Sequence, residues 1–271
     1  MSGVSFDLVW LDGGYVPASE ARVSVFDRGL AYGDGAFTTL RVGGGAPLLL
    51  DRHLARLGRD LEALYIPSPA PGEIEAACRG LAQRLGLTDA VLKITVTRGQ
   101  GGRGPTLPEE PKPTAFVTAS PLPAPRGPLR AVTTSDERGT LSRHKSLNYL
   151  ASVLALREAR ERGFDEAIFT HGGALAEATV SNLVGLEDGS LRTPDADGLL
   201  PGIARGVLLE SGEVEEGELP AATRGPLYCV NAVRGVEAVA ELDGRTLARD
   251  AEAETRLVAA LRERGALPPV D

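Results

Sequence analysis

A proline-rich run, Ser120-Pro121-Leu122-Pro123-Ala124-Pro125, divides the chain a little before its midpoint. Four of these six residues are proline or serine, and closely spaced prolines suit neither a helix nor a central strand. We therefore predict an N-terminal domain over residues 1–119, a linker over 120–128 and a C-terminal domain over 129–271. With 271 residues and 42% apolar content, the chain is long enough for two compact lobes.

Hydrophobic periodicity predicts mixed α and β structure on both sides of this linker. In the N-terminal part we predict strands over residues 8–11, 22–26, 38–42, 90–97 and 115–118, with helices over 51–65 and 71–85. In the C-terminal part we predict strands over residues 129–133, 166–170, 179–186 and 227–230, with helices over 146–162, 201–212 and 250–264. The helix over 146–162 is expected to bury Leu147, Leu150, Leu154 and Leu156.

Composition narrows the possible functions. A net charge of -8 argues against general nucleic-acid binding, which needs clustered basic residues. Two distant cysteines suggest no disulfide framework, and His53, His144 and His171 offer no zinc spacing. The N-terminus shows no basic segment leading into an apolar run, and no apolar stretch is long enough to span a membrane. We expect a reduced, cytoplasmic, metal-free protein with no nucleic-acid or membrane partner.

Lysine is scarce, since only Lys93, Lys112 and Lys145 occur among 29 basic residues. Lys93 falls inside a predicted strand and Lys112 between two prolines, so neither is placed like a buried catalytic amine. Lys145 directly precedes a predicted helix, and Glu177 follows it within a predicted strand-rich region. A lysine and a carboxylate are the two side chains that pyridoxal phosphate chemistry requires, as Schiff base and as partner of the pyridinium nitrogen.

The glycine-rich loop 99–104 formally matches a dinucleotide-binding pattern. That pattern works when a helix N-terminus directly follows the glycines, but Pro105 and Pro108 prevent such a helix here. Two interpretations of the loop stay open: it carries Arg98 and Arg103 to a substrate carboxylate, or it is an ordinary mobile surface loop.

Two further segments are ambiguous when taken alone. Pro201-Gly202-Ile203-Ala204 is typical of a helix start whose amides can bind a phosphate, and equally of a plain helix start. Arg56 could lie on the solvated side of an amphipathic helix.

Glu177, if buried, needs a cationic or hydrogen-bonding partner to stay charged, and a protonated pyridine would supply one. No pattern supports a serine hydrolase or a glycosidase.

Taken together, these motifs resemble the fold-type IV family of pyridoxal-phosphate enzymes over nearly the whole chain. The family's N-terminal signature is matched by the run from Asp27 to Arg41, and its Schiff-base lysine falls on Lys145. The resemblance implies a two-domain α/β (α+β) fold, with a smaller N-terminal α/β sandwich and a larger C-terminal pseudo-barrel lobe, and a homodimer. It also implies a set of cofactor-binding residues, namely Arg56, Lys145, Tyr149, Glu177, Ser181, Asn182, Ile203, Ala204, Asn231 and Ala232.

Three details resemble the aminodeoxychorismate lyases of this family, which form p-aminobenzoate, a folate precursor, and pyruvate. Phe37-Thr38-Thr39 stands where the aminotransferases usually have Phe-Glu-Thr, and the loop 98–104 and Cys229-Val230-Asn231-Ala232 are also lyase-like. This resemblance implies Lys145 and Thr38 as catalytic residues, and Tyr32, Thr38, Arg98 and Arg103 as substrate-binding residues. Asn148-Tyr149 instead resembles the branched-chain aminotransferases. An aminotransferase of branched-chain or D-amino acids is thus the alternative, and a catalytically silent cofactor-binding protein is a third hypothesis.

Overall fold

A computed structural model describes residues 6–136, 138–195 and 198–269. The strands are β1 (Leu8–Leu11), β2 (Gly14–Pro17), β3 (Gly35–Gly43), β4 (Ala46–Pro47), β5 (Asp89–Thr97), β6 (Thr114–Ser120), β7 (Leu129–Ser135), β8 (Glu166–His171), β9 (Ala174–Ala178), β10 (Asn182–Glu187), β11 (Ser190–Thr193), β12 (Glu215–Glu216), β13 (Leu227–Asn231), β14 (Gly235–Leu242) and β15 (Arg245–Thr246). The helices are α1 (Arg28–Tyr32), α2 (Leu50–Ala63), α3 (Glu73–Arg84), α4 (Leu150–Glu161), α5 (Ile203–Ser211) and α6 (Ala251–Glu263), with a 3₁₀ turn over Gly139–Arg143.

The chain forms two compact units. Unit one contains the residues up to Leu122 together with His144–Asn148, and unit two contains Pro123–Arg143 and the residues from Tyr149 onward. The short segment His144–Asn148, which carries Lys145, therefore belongs to unit one although it follows the proline-rich run in sequence.

Unit one is built on a six-stranded sheet in the order β2-β1-β6-β5-β3-β4. Its longest pairing joins β3 to β5 in antiparallel register, from Gly35 opposite Thr97 to Gly43 opposite Asp89. Side chains alternate between the two faces of a strand, and one face carries the apolar residues that pack against α2 and α3 in a continuous core, among them Leu40, Leu61 and Leu81. The other face carries Thr39, Lys93 and Thr95.

Unit two contains a nine-stranded sheet in which six strands close into a ring. The order β10-β13-β14-β7-β8-β9 is completed by a pairing of β9 with β10, between Glu177 and Asn182. Apolar side chains such as Leu129, Ile168 and Leu183 form a core in this unit. Helix α4 packs on β7 and β8, while α5 and α6 pack on each other and on β13 and β14. This ring is the pseudo-barrel that the resemblance implied.

Most predicted elements of the sequence analysis are confirmed, although their bounds shift by a few residues. The strand predicted over 22–26 is wrong, because these residues form irregular structure and a turn. The long strand β14 was missed. The predicted 146–162 helix begins only at Leu150.

The expected buried face of that helix is also wrong. Leu150 and Leu154 are 67% and 52% exposed, and α4 instead buries the small residues Ser152 and Ala159. Leucine spacing located the helix correctly but not its buried face, since Leu150 and Leu154 face outward and Leu156 is only half-buried.

Within the described ranges, no helix has both the length and the apolar character needed to cross a bilayer. The same residues contain no group of three or more side chains that could hold a metal ion. Cys78 and Cys229 are free, buried thiols. The cytoplasmic location, and the absence of nucleic-acid and membrane partners, stay predictions.

Two glycines of unit one provide a stability test. A Cβ on Gly35 would approach the Val96 carbonyl oxygen to 2.6 Å and Leu147 Cδ1 to 2.7 Å, whereas a Cβ on Gly58, inside α2, would meet nothing within 4 Å. We expect Gly35→Ala to lower the free energy of unfolding by about 1–3 kcal/mol. Gly58→Ala should raise it by about 0.5–1 kcal/mol, because alanine loses less backbone entropy in a helix. Denaturant titration measures both, and equal effects of the two variants would contradict this packing.

Candidate active site

Helix α2 presents three buried polar side chains on one face. His53, Arg56 and Asp60 are only 1%, 3% and 3% exposed, and their spacing of three and four residues places them side by side on the helix. Leucines at neighbouring positions bury the same helix in the core of unit one. The apolar packing therefore fixes where these three polar groups lie.

Thr38 of β3 meets two of these groups. Its hydroxyl accepts a hydrogen bond from Arg56 Nη2 at 2.9 Å and lies 2.8 Å from His53 Nδ1. Thr38 has no exposed surface. Burial, with the positive charges of Arg56 and Lys145, lowers the pKa of His53 to about 3. The imidazole is therefore neutral at ordinary pH, and the hydroxyl lies between a cation and a neutral ring.

The third group, Asp60, holds the segment that carries Lys145. Its carboxylate accepts a hydrogen bond from the backbone N–H of Lys145 at 3.3 Å and lies 3.1 Å from His144 Nδ1. The Lys145 carbonyl accepts a hydrogen bond from the Phe37 N–H at 2.8 Å, so the segment is also tied to β3. The Lys145 amine lies 4.9 Å from the centroid of the Phe37 ring.

Arg98 is held inside unit one by several acceptors. Its guanidinium bonds both carboxylate oxygens of Asp34 and the carbonyl oxygens of Leu64 and Tyr65. Burial alone would raise the pKa of Asp34, but hydrogen bonds from Arg98 and Arg28 outweigh burial and lower that pKa. This cluster fixes the start of the glycine-rich loop.

The rest of that loop contacts α1. The Gly104 N–H donates a hydrogen bond to the Tyr32 hydroxyl at 2.7 Å, and the Arg28 guanidinium lies over the Tyr32 ring. Arg103 is exposed. Tyr32 is thus tied to the loop, while the side chain of Arg103 reaches solvent.

In unit two, Glu177 is buried on β9 and surrounded by donors. Its carboxylate accepts hydrogen bonds from Arg138 Nη1 at 2.5 Å, from Asn182 Nδ2 at 3.2 Å and from the Leu200 N–H at 3.3 Å. Arg138 also bonds Asp136. Burial alone would lower the pKa of Arg138, but its contacts with Asp136 and Glu177 raise it above the ordinary value. The cationic partner that a buried Glu177 requires is therefore present within unit two.

Asn182 connects Glu177 to the start of α5. A Cβ on Gly202, the residue before the helix, would clash with Asn182 Oδ1, so a side chain there would force Asn182 to move. The amides of Ile203 and Ala204 lie in the first turn of α5, where backbone N–H groups have no partner within the helix. Such a turn can bind a phosphate group.

The remaining predicted residues of unit two lie on β13, beside β10 and at the start of α4. Asn231 Nδ2 donates a hydrogen bond to the Ser181 hydroxyl at 2.9 Å, and Asn231 Oδ1 accepts from the next turn, which contains Ala232. Tyr149 is the residue before α4 and is half-buried. The predicted residues thus form two sets, one within each unit.

Sequence reasoning missed three residues that contact these sets, namely His53, Asp60 and Arg138. A signal for the first two was present, because His53, Arg56 and Asp60 share one helical face with Leu57 and Leu61. Arg138 had no such signal, since it lies in irregular structure 39 positions from its partner Glu177.

The neutral state of His53 predicts a pH dependence of stability. Its pKa in the folded protein, about 3, lies below the ordinary histidine pKa of 6.5, so the unfolded state binds more protons between these values. This contribution to stability is therefore complete above about pH 6.5 and is lost as pH falls towards 3, with a slope of up to about 1.4 kcal/mol per pH unit. His53→Gln should reduce the slope measured by urea unfolding across pH 4–7, and substitution of exposed His171 should not. An unchanged slope in His53→Gln would contradict a buried neutral imidazole.

Comparison with known proteins agrees with this geometry. The family model of amino-transferase class IV matches residues 35–242. A putative branched-chain-amino-acid aminotransferase of Methanocaldococcus jannaschii is 35% identical in an alignment 258 residues long, which covers 88% of this chain and 89% of that protein.

Two solved structures share the fold. The 4-amino-4-deoxychorismate lyase of Pseudomonas aeruginosa is 33% identical, with a TM-score of 0.81 over 94% of this chain and 98% of that one. The pyridoxal-phosphate-bound form of a hypothetical aminotransferase from Mycobacterium tuberculosis is 26% identical, with a TM-score of 0.85 over 94% and 99%. The chain therefore belongs to the class IV aminotransferase family, has the fold of the fold-type IV enzymes and uses pyridoxal phosphate.

Proposed function

We propose that this protein is an aminodeoxychorismate lyase, which converts 4-amino-4-deoxychorismate to p-aminobenzoate and pyruvate. The observation that carries the proposal is the uncharged group at position 38. A hydroxyl, bonded to Arg56 and to a neutral His53, stands where the aminotransferases of the family usually have a glutamate. The similarity to the Pseudomonas lyase over 94% of the chain supports the same assignment.

The residues present fit pyridoxal phosphate. Lys145 offers a half-buried amine for covalent attachment. The guanidinium of Arg56 and the first-turn N–H groups of Ile203 and Ala204 are groups that would bind a phosphate. The backbone N–H of Ala232 would be a further donor. Glu177 is a buried carboxylate suited to a protonated pyridine nitrogen. When bound, the cofactor supplies an electron sink for the carbon beside the substrate amine.

Lys145 is proposed as the residue that moves the proton. Its Nζ would remove the proton from the substrate ring carbon that bears the amine. The carbon–oxygen bond to the enolpyruvyl group then breaks, and the ring becomes aromatic. Lys145 returns the proton to the methylene carbon of the leaving enol, which gives pyruvate.

Thr38 is proposed to act through Arg56. The hydroxyl is fully buried and bonds both Arg56 and His53, so it can orient the guanidinium that would bind the phosphate. A glutamate at this position would instead place a negative charge beside Arg56 and near Lys145. The catalytic role expected for Thr38 from the resemblance thus becomes a positioning role in our proposal.

The substrate-binding roles are divided between the two loop arginines. The donors of Arg98 are used by Asp34 and two carbonyl groups, so we propose that Arg98 and Tyr32 fix the loop. Exposed Arg103 is then the arginine available to a substrate carboxylate. In unit two, Ser181, Asn182 and Asn231 are proposed to shape the cofactor site, and half-buried Tyr149 to line it.

The alternative is an aminotransferase of branched-chain or D-amino acids. It is favoured by the 35% identity to the Methanocaldococcus protein, whose name is that of a putative branched-chain enzyme. The pair Asn148-Tyr149 supports the same alternative. The two activities differ in one requirement, because a lyase needs no 2-oxo acid acceptor.

A direct assay separates these activities. The cofactor-loaded protein should release p-aminobenzoate and pyruvate in equal amounts from enzymatically generated aminodeoxychorismate, with no 2-oxo acid added. Lys145→Ala should lower this rate by more than about a thousandfold, because it removes both the covalent attachment and the base. Lys112→Ala is the matched control and should keep the wild-type rate.

Other outcomes of this assay would refute the lyase assignment. Stoichiometric transfer from leucine, D-alanine or D-glutamate to a 2-oxo acid, without p-aminobenzoate release, would establish the aminotransferase. Absence of both activities from protein with bound cofactor would indicate a binding protein.

We also propose a homodimer, as the family resemblance implies. Val25, Phe26 and Leu30 of unit one are 74%, 68% and 69% exposed, and clustered exposed apolar side chains are typical of an association surface. We expect sedimentation equilibrium to give twice the mass of one chain. A single-chain mass at micromolar concentration would contradict the dimer.

A further inference from the structure

A buried carboxylate of unit two has no part in the chemistry proposed above. Glu166, the first residue of β8, is 2% exposed. One of its oxygens accepts a hydrogen bond from the Thr179 hydroxyl at 2.5 Å and another from the Ala167 N–H at 3.2 Å. Thr179 is itself 3% exposed. The bond between the two side chains is therefore shielded from solvent, where a charged acceptor makes a strong hydrogen bond.

Two arginines offset the negative charge around this carboxylate. Arg126 Nη2 lies 3.7 Å from Glu166 Oε2, and the same guanidinium forms a bidentate pair with Glu237 at 2.7 and 3.0 Å. Arg234 lies 3.5 Å from Glu237. Two positive and two negative groups thus lie together, which lowers the cost of burying Glu166 as an ion. Glu166 can therefore serve as a charged acceptor for Thr179.

Thr179 lies in the short turn that joins β9 to β10. A hydrogen bond from the Ala178 N–H to the Ser181 carbonyl oxygen at 2.8 Å closes this turn. Glu177 and Asn182 flank it, face each other in the strand register and are bonded through their side chains at 3.2 Å. A shift of the turn would therefore move both of these residues.

Two side-chain hydrogen bonds hold the turn, one from each neighbouring strand of the ring. On the β8 side the Thr179 hydroxyl bonds Glu166, and on the β13 side the Ser181 hydroxyl accepts from Asn231 Nδ2 at 2.9 Å. Strand β8 pairs with β9, and β13 pairs with β10. The pairing of β9 with β10 that closes the ring is short, and these two bonds supplement it.

We propose that Glu166 is a positioning residue for the cofactor site, which acts through the Thr179 hydroxyl on the turn between Glu177 and Asn182. The inference rests on the cofactor roles proposed above for Glu177 and Asn182. By fixing the turn, Glu166 sets the position of the Glu177 carboxylate that meets the pyridine nitrogen of pyridoxal phosphate. A binding group keeps its affinity only when the residues behind it hold it in the productive geometry.

The test removes the Thr179 hydroxyl and measures cofactor binding. Pyridoxal phosphate is titrated into cofactor-free protein, and absorbance gives its dissociation constant for wild type, Thr179→Val and Thr179→Ser. Valine resembles threonine in shape but lacks the hydroxyl. We expect Thr179→Val to raise the dissociation constant about tenfold and to change the visible circular dichroism of the bound cofactor. Thr179→Ser should restore both wild-type values, because serine keeps the donor.

Thr133→Val is the matched control. The hydroxyl of Thr133 on β7 also donates a hydrogen bond to a carboxylate, that of Asp243, at 3.1 Å. Neither of these residues belongs to β9, β10 or the turn between them. Thr133→Val should therefore bind pyridoxal phosphate with wild-type affinity and give the wild-type circular dichroism, although it also loses a buried or half-buried hydroxyl.

A double substitution tests whether Glu166 acts through Thr179. Glu166→Met should weaken cofactor binding about as much as Thr179→Val, because either change removes the same hydrogen bond. The double variant should bind no more weakly than either single variant. Thr179→Val with its serine and Thr133 controls gives the answer even where Glu166→Met does not fold.

Four results would overturn the positioning role. These are wild-type affinity in Thr179→Val, an equal loss in Thr133→Val, no recovery in Thr179→Ser, and additive losses in the double variant. Failure of the proposed cofactor site is separate, since it would appear as an Asn182→Ala variant with wild-type affinity. The lyase assignment is tested independently, because these titrations use no substrate.

Discussion

The buried polar cluster between α2, β3 and the segment His144–Asn148 is the interaction on which the proposed chemistry depends. Burying a guanidinium and a carboxylate is costly unless each is hydrogen-bonded. Here Arg56 bonds Thr38, and Asp60 bonds the backbone of Lys145. Leucines of the same helix hold these groups in place through the core of unit one. The position of the Lys145 segment is therefore set by a helix 85 residues earlier in the sequence.

In unit two, a different set of groups stabilises the buried carboxylate of Glu177. Arg138, Asn182 and a backbone amide surround its carboxylate, and Asn182 also bonds the carbonyl of Leu200 just before α5. A buried carboxylate with such donors is stabilised in its charged form. The charge that would hold a pyridine nitrogen protonated is thus maintained by unit two itself, and the pairing of β9 with β10 that places Glu177 beside Asn182 also closes the ring of strands.

Local sequence patterns predicted the features that depend on residues close together in the sequence. Leucine spacing located α2, and the scarcity of lysine singled out Lys145. Lys93 lies in a strand, as its sequence pattern predicts, but only the strand register shows that its amine reaches the ring that Lys145 also contacts. Arg138 and Asp60 could not be identified as site residues from local patterns, because their partners are distant in sequence. The outward leucines of α4 show that periodicity finds a helix more readily than it finds the buried face.

The most direct test of this account is to locate the covalent attachment of pyridoxal phosphate. Borohydride reduction of the cofactor-loaded protein, followed by proteolysis and mass spectrometry, identifies the modified lysine among only three. We expect the added mass on the peptide that contains Lys145, and none on peptides that contain Lys93 or Lys112. Modification of either other lysine in place of Lys145, or no modification after reconstitution, would contradict it.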